Sequence, residues 1–214
     1  MRKSALHCKP MLGPSMPLNL FLAFLLFAFV ASITPGPNNL MLLSSGVNFG
    51  FRRTIPHLLG IAVGFTVMVG LVGLGLAEIL LRSPALYTAL KIGGGIYMLW
   101  LAINLAMSGP LGPKGVEVGA PLTFLQAAAF QWVNPKGWTM AVTAAAAYTV
   151  QQHYTLSVLI VALGFGVVNL PCIASWALFG SAMSDVLRDA RRARIFNVVM
   201  AVLLVASLAP LLFE

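Results

Sequence analysis

Two short segments of the chain combine proline with amide or amine side chains inside long apolar stretches. The first consists of Thr34, Pro35, Gly36, Pro37, Asn38 and Asn39. The second consists of Asn134, Pro135, Lys136 and Gly137. Proline interrupts a helix and removes a donor, so nearby backbone groups lose their intrahelical partners. Such groups, beside uncharged amides and one cation, are suited to bind a small zwitterion.

The composition places both segments in a membrane. Of the 214 residues, 59% are hydrophobic and only 8% are charged, against roughly 25% in an ordinary soluble domain. The mean hydropathy is +0.93. These values exclude a soluble globular protein, a disordered chain and a nucleic-acid-binding module, although the net charge is +8. The apolar runs are continuous and do not alternate, which excludes an outer-membrane barrel.

The apolar runs predict an all-α integral membrane protein with six transmembrane helices, since one span takes about 20 residues. We expect an N-terminal tail at 1–16, consistent with a later start codon, and a single domain at 17–214. The domain divides into a first repeat at 17–107, a linker at 108–122 and a second repeat at 123–214. Spans one and four are broken by proline, and three spans per repeat invert the second copy. Inverted repeats with matching broken helices are typical of secondary transporters.

Lysine and arginine predict the orientation, because they are commoner in cytoplasmic loops. One predicted side carries seven of them, Arg52, Arg53, Lys114, Arg188, Arg191, Arg192 and Arg194. The other side carries four, Arg2, Lys3, Lys9 and Arg82. We therefore expect a multi-pass protein with both termini in the periplasm. The last span is expected at Ile195 to Phe213, after a charged loop.

Four charged residues need an explanation. Lys136 lies about midway through its predicted span, where a lysine costs roughly 2.5–3.5 kcal/mol to insert. We expect it to meet a substrate carboxylate or to take part in ion coupling; the alternative is a lysine bonded to carbonyls freed by Pro135. Glu78 is the candidate for ion coupling, although Arg82 at i+4 also predicts an interfacial ion pair. Arg52 and Arg53 are predicted to anchor the topology, or to gate.

Other residues carry weaker signals. Gly60 and Gly64 form a G-x-x-x-G pattern, which predicts close helix packing within the chain or across a homodimer. The histidines, acids and cysteines are scattered, so the sequence predicts no metal site, no cofactor and no catalytic constellation. His57 lies near a span end. Asn169, beside Pro171, could line a cavity or serve packing.

The motif residues are similar to those of a known family. The segment Thr34 to Asn39, followed by Gly46, Gly50-Phe51-Arg52, Gly60 and Gly64, resembles the signature of the LysE/RhtB amino-acid exporters. The similarity covers the chain after about Met16 and includes the Asn-Pro-Lys segment. It implies a bacterial inner-membrane exporter driven by the proton motive force, with a small amino acid, protons and the lipid bilayer as partners.

Within that family, Ser44 and Ser45 after the asparagines are similar to the cysteine and O-acetylserine exporters. Homoserine and threonine exporters share much of the pattern. Few acidic residues lie in the predicted spans, which favours small neutral substrates. The two proline segments, which the family resemblance includes, supply the candidates for substrate binding. They are Pro35, Gly36, Pro37, Asn38, Asn39, Asn134, Pro135 and Lys136.

Three other classes of membrane protein are alternatives to an exporter. A membrane thiol-disulfide carrier needs two reactive cysteines, and Cys172 is the one cysteine in a predicted span. A membrane-embedded enzyme needs a nucleophile and base or clustered metal ligands, which the sequence does not bring together. A structural membrane subunit gives no reason for two matched proline breaks. We therefore expect a transporter and no enzyme.

Overall fold

The structure, a computed structural model, describes residues 16–107, 120–187 and 189–208, and its regular elements there are helical. The helices are α1 Leu18–Ile33, α2 Pro37–Leu71, α3 Ala77–Leu81, α4 Pro84–Met107, α5 Phe124–Phe130, α6 Pro135–Tyr148, α7 Tyr154–Met183 and α8 Ala190–Ala206. A π-helical turn, Val72–Leu76, joins α2 to α3, and 3-10 turns lie at Gln131–Val133 and Gln151–His153. The predicted tail before Met16, residues 108–119 of the linker, Arg188 and the end of the last predicted span lie outside the described residues.

Both proline segments interrupt helical structure. α1 ends at Ile33 and α2 begins at Pro37, with extended backbone at Thr34 and Gly36 between them. In the second segment α6 begins at Pro135, after an extended Asn134. Proline occupies the first helical position in each case, where its missing N–H would have had no helical partner anyway.

α2 folds back on itself at Gly50. This glycine has φ 78° and ψ 162°, a backbone conformation that side chains disfavour. The hydroxyl oxygens of Ser45 and Thr54 lie 2.9 Å apart although the residues are nine positions apart; a straight helix would separate them by about 13.5 Å. α2 therefore consists of two limbs, 37–49 and 51–71, joined at Gly50.

α1 and the first limb of α2 follow one another along α7. A Cβ on Gly180 of α7 would meet the carbonyl oxygen of Leu43, and one on Gly164 would meet the ring of Phe24. A Cβ on Gly46 would in turn meet the carbonyl of Ala177. The backbones of α2 and α7 can therefore approach closely where they cross, because Gly46 and Gly180 have no side chains there.

The predicted glycine pattern packs within the chain. A Cβ added to Gly60 would meet the carbonyl oxygen of Phe124, and one added to Gly64 would meet the backbone of Ala128. The second limb of α2 therefore lies against α5. This contact explains the pattern without a second copy of the chain, and the homodimer stays a prediction.

An aromatic cluster fills the end of the core away from Gly50. The rings of Phe24, Phe27 and Phe65 lie edge-on to Phe165 at centroid distances of 5.5, 5.9 and 5.2 Å. Tyr148, at the end of α6, stacks on Phe27 at 5.4 Å. Edge-on aromatic pairs stabilise a core by about 0.5–1.5 kcal/mol each beyond their burial. They close that end of the molecule with apolar surface.

α8 begins earlier than the sequence predicts. Its first residue is Ala190 and not Ile195, because the carboxylate of Asp189 caps the helix by accepting from the N–H of Arg192 at 3.0 Å. An aspartate at this position stabilises a helix start. The prediction was wrong because it placed the start at the first apolar residue and overlooked the cap.

Three helical segments in the described part of the chain are long and apolar enough to cross a membrane. They are Pro37–Ile79, Thr88–Met107 and Gln151–Met183. Since α2 folds back at Gly50, the first of these is not one straight crossing. The described residues thus form an all-helical protein of the membrane type. The number of spans and the inversion of the second repeat stay predictions.

Replacing Gly180 by alanine is expected to lower the stability of the protein. The new Cβ would press on the carbonyl of Leu43, which cannot move without shifting α2. We expect a cost of about 1–3 kcal/mol from overpacking, larger than the roughly 0.5–1 kcal/mol that alanine contributes in an open helix. The thermal unfolding midpoint of the detergent-purified protein should therefore fall.

Gly93→Ala in α4 is the matched control, because its Cβ would meet nothing within 4 Å. Its midpoint should stay the same or rise. A Gly180→Ala midpoint that matches this control would contradict the close crossing of α2 and α7.

Candidate functional site

Lys136 joins the two proline segments. Its Nζ donates to the carbonyl oxygen of Thr34 at 2.7 Å, to Oγ1 of Thr34 at 3.0 Å and to the carbonyl oxygen of Pro35 at 3.3 Å. These carbonyls follow the C-terminal end of α1, where the helix dipole favours a cation. The oxygens that Lys136 contacts thus belong to the first break and not to carbonyls freed by Pro135.

Gly36 makes room for this contact. A Cβ at position 36 would lie 3.1 Å from Nζ of Lys136 and closer still to its Cδ. The backbone of Gly36 is extended, with φ −176°, a conformation that any residue adopts. Glycine is therefore needed for space and not for backbone freedom.

A second bridge pairs the amides of Asn38 and Gln131. Asn38 Nδ2 donates to Gln131 Oε1 at 2.9 Å, and Gln131 Nε2 donates back to Asn38 Oδ1 at 3.1 Å. Gln131 is 0% exposed and also donates to the carbonyl of Ala127 at 3.0 Å. Sequence reasoning missed Gln131, for which the one available signal was a glutamine inside an apolar run.

The other predicted asparagine of the first segment completes the end of α1. Asn39 Nδ2 donates to the carbonyl oxygens of Ser32 at 2.9 Å and Thr34 at 2.7 Å. Trp176 Nε1, from α7, donates to the carbonyl of Ile33 at 3.1 Å. With Lys136 on Pro35, the carbonyls of 32–35 each have a side-chain donor. A helix end inside a membrane protein needs such donors, because lipid offers none.

A small cavity lies between the two breaks. It offers about 20 Å³ of room to a water-sized sphere, which is space for about one water molecule. Its walls are formed by Ala31, Ser32, Gly36, Asn38, Asn39, Phe65, Asn134, Lys136, Gly137, Met140, Asn169 and Ile173. The site candidates Gly36, Asn38, Asn39, Asn134 and Lys136 therefore converge on one space, and Pro35, Pro37 and Pro135 adjoin it in the chain.

Three polar atoms at this cavity have no hydrogen-bond partner among the described residues. They are Oγ of Ser32, Oδ1 of Asn134 and Nδ2 of Asn169. Native proteins pair most buried polar atoms, so an unpaired group indicates a role for water, an ion or a ligand. An amide donor and an amide acceptor are available here for a ligand that carries both kinds of group.

Two helix N-termini also open on the cavity. α2 begins at Pro37 and α6 at Pro135, and the first N–H groups of a helix have no acceptor within it. Such helix starts favour bound anions, including carboxylates. The space thus combines an ammonium group, two positive helix ends, free amides and carbonyl oxygens. It can bind a carboxylate and an ammonium group side by side.

The remaining charged candidates lie away from this cavity. Glu78 in α3 has a side chain that is 76% exposed, with Oε2 at 3.8 Å from the Arg82 guanidinium in an i,i+4 pair. Arg52 and Arg53 follow the fold of α2, and the Arg53 guanidinium lies 5.7 Å from the ring centre of Phe49. Their roles in ion coupling, topology or gating stay predictions.

The part of the chain that the structure describes contains few residues that could bind a metal or carry out thiol chemistry. No group of three His, Cys, Asp or Glu side chains in that part could hold a metal ion. Cys172 is buried there as a free thiol. Cys8 lies outside the described residues.

An apolar, all-helical chain whose polar centre lies at two helix breaks is an integral membrane protein. A family model described as LysE type translocator matches residues 29–212. The chain belongs to this family, and the resemblance of its motifs is confirmed. No solved structure matches the chain.

Curated relatives of the chain include efflux proteins for cysteine and O-acetylserine. The chain is 32% identical over 194 residues to the cysteine/O-acetylserine efflux proteins of Escherichia coli strain K12, Escherichia coli O1:K1 / APEC and Shigella sonnei strain Ss046. The match covers 89% of this chain and 96% of each relative.

Removing one partner of the amide bridge is expected to destabilise the protein. Asn38→Leu leaves the buried amide of Gln131 without its main partner, and Gln131→Leu does the same to Asn38. Each single change should cost about 1–3 kcal/mol of stability, and the double variant should cost less than the sum. Thermal unfolding midpoints of the four proteins test this cycle.

Gln152→Leu serves as the control for loss of a glutamine, since Gln152 is exposed. It should shift the midpoint little. Strictly additive losses in the double variant would mean that the two amides do not stabilise each other.

Proposed function

We propose that the protein is a secondary active exporter of small neutral amino acids or their derivatives across the bacterial inner membrane, coupled to the proton motive force. Cysteine, O-acetylserine, homoserine and threonine are the substrate types we expect. The observation that carries the proposal is the cavity between the two breaks, where Lys136 and unpaired amide groups converge. The names of the relatives support two of these substrates, cysteine and O-acetylserine.

A zwitterion fits the polar groups of this cavity. Its carboxylate can take the place of carbonyl oxygens at Lys136 and accept from the first N–H groups of α2 and α6. Its ammonium group can donate to Oδ1 of Asn134 and to the carbonyls that Lys136 releases. The apolar walls, Phe65, Met140 and Ile173, can accommodate a small neutral side chain. None of the wall residues is acidic, which argues against a cationic side chain.

Transport requires this site to open, because its present volume holds about one water molecule. Two bridges close it, the Lys136 contact with Thr34 and Pro35 and the amide pair of Asn38 with Gln131. A bound carboxylate competes for the ammonium of Lys136 and so weakens the first bridge. Rocking of the two halves about the site would then give alternating access.

The orientation is part of the proposal. Arg52 and Arg53, at the fold of α2, would lie on the cytoplasmic side, and Arg82, after α3, on the periplasmic side with both termini. A thiol-disulfide carrier is not favoured, since Cys172 has no second cysteine near it among the described residues.

Removing the central ammonium is expected to abolish export. Cells loaded with labelled O-acetylserine should show uncoupler-sensitive efflux with the wild type, and Lys136→Met should reduce its rate about tenfold or more. Asn38→Ala should reduce it as well. Membrane expression must be matched. Lys91→Met, which removes a lysine of α4 outside the cavity, is the control.

The outcomes separate the function from its site. Normal efflux by Lys136→Met would keep an exporter and refute the role of the lysine. Wild-type efflux no greater than that of an empty vector, for any of the four amino acids, would refute the proposed substrates.

Single cysteines test the orientation. In a background without Cys8 and Cys172, we expect Arg82→Cys to react with an impermeant maleimide in intact cells. Arg52→Cys should react only after the inner membrane is permeabilised, because the arginine-rich side faces the cytoplasm. The reverse pattern would contradict the orientation.

A further inference from the structure

A group of buried polar side chains lies between the central cavity and the fold of α2, and the substrate site does not use it. All its members are 7% exposed or less. They are Ser44, Ser45, Asn48, Thr54 and His57 on the two limbs of α2 and Asn197 on α8. We call this group the inner polar cluster.

Hydrogen bonds connect most of the inner polar cluster. The hydroxyls of Ser45 and Thr54 are 2.9 Å apart, and Thr54 also donates to the carbonyl of Gly50 at 2.9 Å. Asn48 Nδ2 donates to the carbonyl of Ser44 at 2.9 Å and contacts Oδ1 of Asn197 at 3.4 Å. The cluster therefore ties the two limbs of α2 to α8.

Two members of the cluster have polar side-chain atoms without a hydrogen-bond partner among the described residues, Ser44 at its Oγ and His57 at its ring. His57 is the larger and the ionisable one of the two. It is 1% exposed, yet neither Nδ1 nor Nε2 has a hydrogen-bond partner among the described residues. An imidazole always offers at least one acceptor or donor at each nitrogen, and burying these groups unpaired is unfavourable. An apolar side chain would fill the same volume at lower cost. The residue thus needs an explanation other than packing.

The position of His57 suggests that explanation. It lies one helical turn beyond Thr54, seven positions after Gly50 and eight before Phe65, which lines the cavity. At about 1.5 Å per residue these separations are roughly 10 Å and 12 Å along the helix. His57 therefore lies about midway between the substrate site and the arginine-bearing end of α2.

We propose that His57 binds the transported proton. The inference rests on the proposed proton-coupled export and adds the residue that carries the coupling. A proton that arrives from the periplasm through the open central cavity binds the lone pair of one ring nitrogen and forms the imidazolium. It leaves to water at the end that carries Arg52 and Arg53, and no other bond changes.

The charge of the imidazolium couples this step to the conformation. A buried charge without a partner is strongly unfavourable, so protonated His57 favours a state in which water reaches the inner polar cluster. Neutral His57 is compatible with the closed inner end seen in the structure. Protonation thus drives opening toward the cytoplasm and proton release permits closure, the order that proton-driven export requires.

The surrounding ionisable groups are compatible with this role. α5 carries none, and no acidic side chain lies on the described parts of α2, α5, α6, α7 or α8. The ionisable side chains on these helices are Arg52, Arg53, Lys136, Tyr148, Tyr154, Cys172, Arg191, Arg192 and Arg194. No carboxylate on these helices therefore holds the proton at His57. The carboxylates of Asp185 and Asp189, which flank these helices in the chain, line a surface pocket with Arg191 and Arg192.

Reconstituted full-length protein tests the proposal. Two rates are measured with labelled O-acetylserine in proteoliposomes: counterflow without a pH gradient, and uphill transport driven by a pH gradient with the accompanying proton flux. For His57→Gln we expect uphill transport and proton flux to fall about tenfold or more, with counterflow within about twofold of the wild type. His153→Gln, which changes an exposed histidine, should leave both rates unchanged.

The results distinguish this inference from the proposed function. A wild type without counterflow or uphill transport refutes the exporter itself. A wild type that transports uphill, beside a His57→Gln variant that still does so, overturns the role of His57. Loss of coupling in Glu78→Gln with retention in His57→Gln would likewise assign the proton to the carboxylate instead.

A second measurement applies if His57→Gln does not fold. Protein with 15N-labelled histidine, and with His7 and His153 replaced by glutamine, retains His57 as its one histidine. Its ring signals should change from those of a neutral to those of a protonated imidazole as the pH is lowered, and the midpoint of that change should move when O-acetylserine is added. An imidazole that stays neutral throughout, with and without O-acetylserine, would overturn the proposal.

Discussion

The backbone carbonyls at the end of α1 impose the main constraint on this protein. The carbonyls of 32–35 have no partner within a helix, and lipid cannot supply one. Their donors are Asn39 from α2, Trp176 from α7 and Lys136 from α6. The interruption of α1 leaves these carbonyls without helical partners. The side chains that pair with them hold α2, α6 and α7 together at this point.

The same interruption gives the centre its chemistry. Lys136 would be unfavourable in lipid, and the carbonyls would be unfavourable without it, so each explains the presence of the other. The contact between Lys136 and the carbonyls differs from apolar packing, because a polar group of a ligand can take the place of either one. A carboxylate can replace the carbonyls and an ammonium group can replace the lysine. A structural requirement of the break thus becomes the capacity to bind a zwitterion.

The sequence predicted the parts of this arrangement that depend on local chemistry. Proline restricts the chain wherever it occurs, so the breaks at Pro37 and Pro135 could be located without a structure. Gln131 could not be matched to Asn38, because their pairing depends on how α2 and α5 meet. The direction of glycine packing at Gly60 was undetermined for the same reason: spacing identifies a smooth helix face but not the helix that covers it.

The two ends of the central cavity differ in a way that bears on coupling. The end away from Gly50 is closed by aromatic rings around Phe165, whose contacts do not depend on charge. The end toward Gly50 is closed around His57, whose burial is far more unfavourable when the ring is charged than when it is neutral. Glu78 offers no such dependence, because its side chain is exposed beside Arg82 and can stay ionised in either conformation. A proton can drive a conformational change only through a group whose charge one conformation excludes, and in this fold that condition singles out a buried imidazole over an exposed carboxylate.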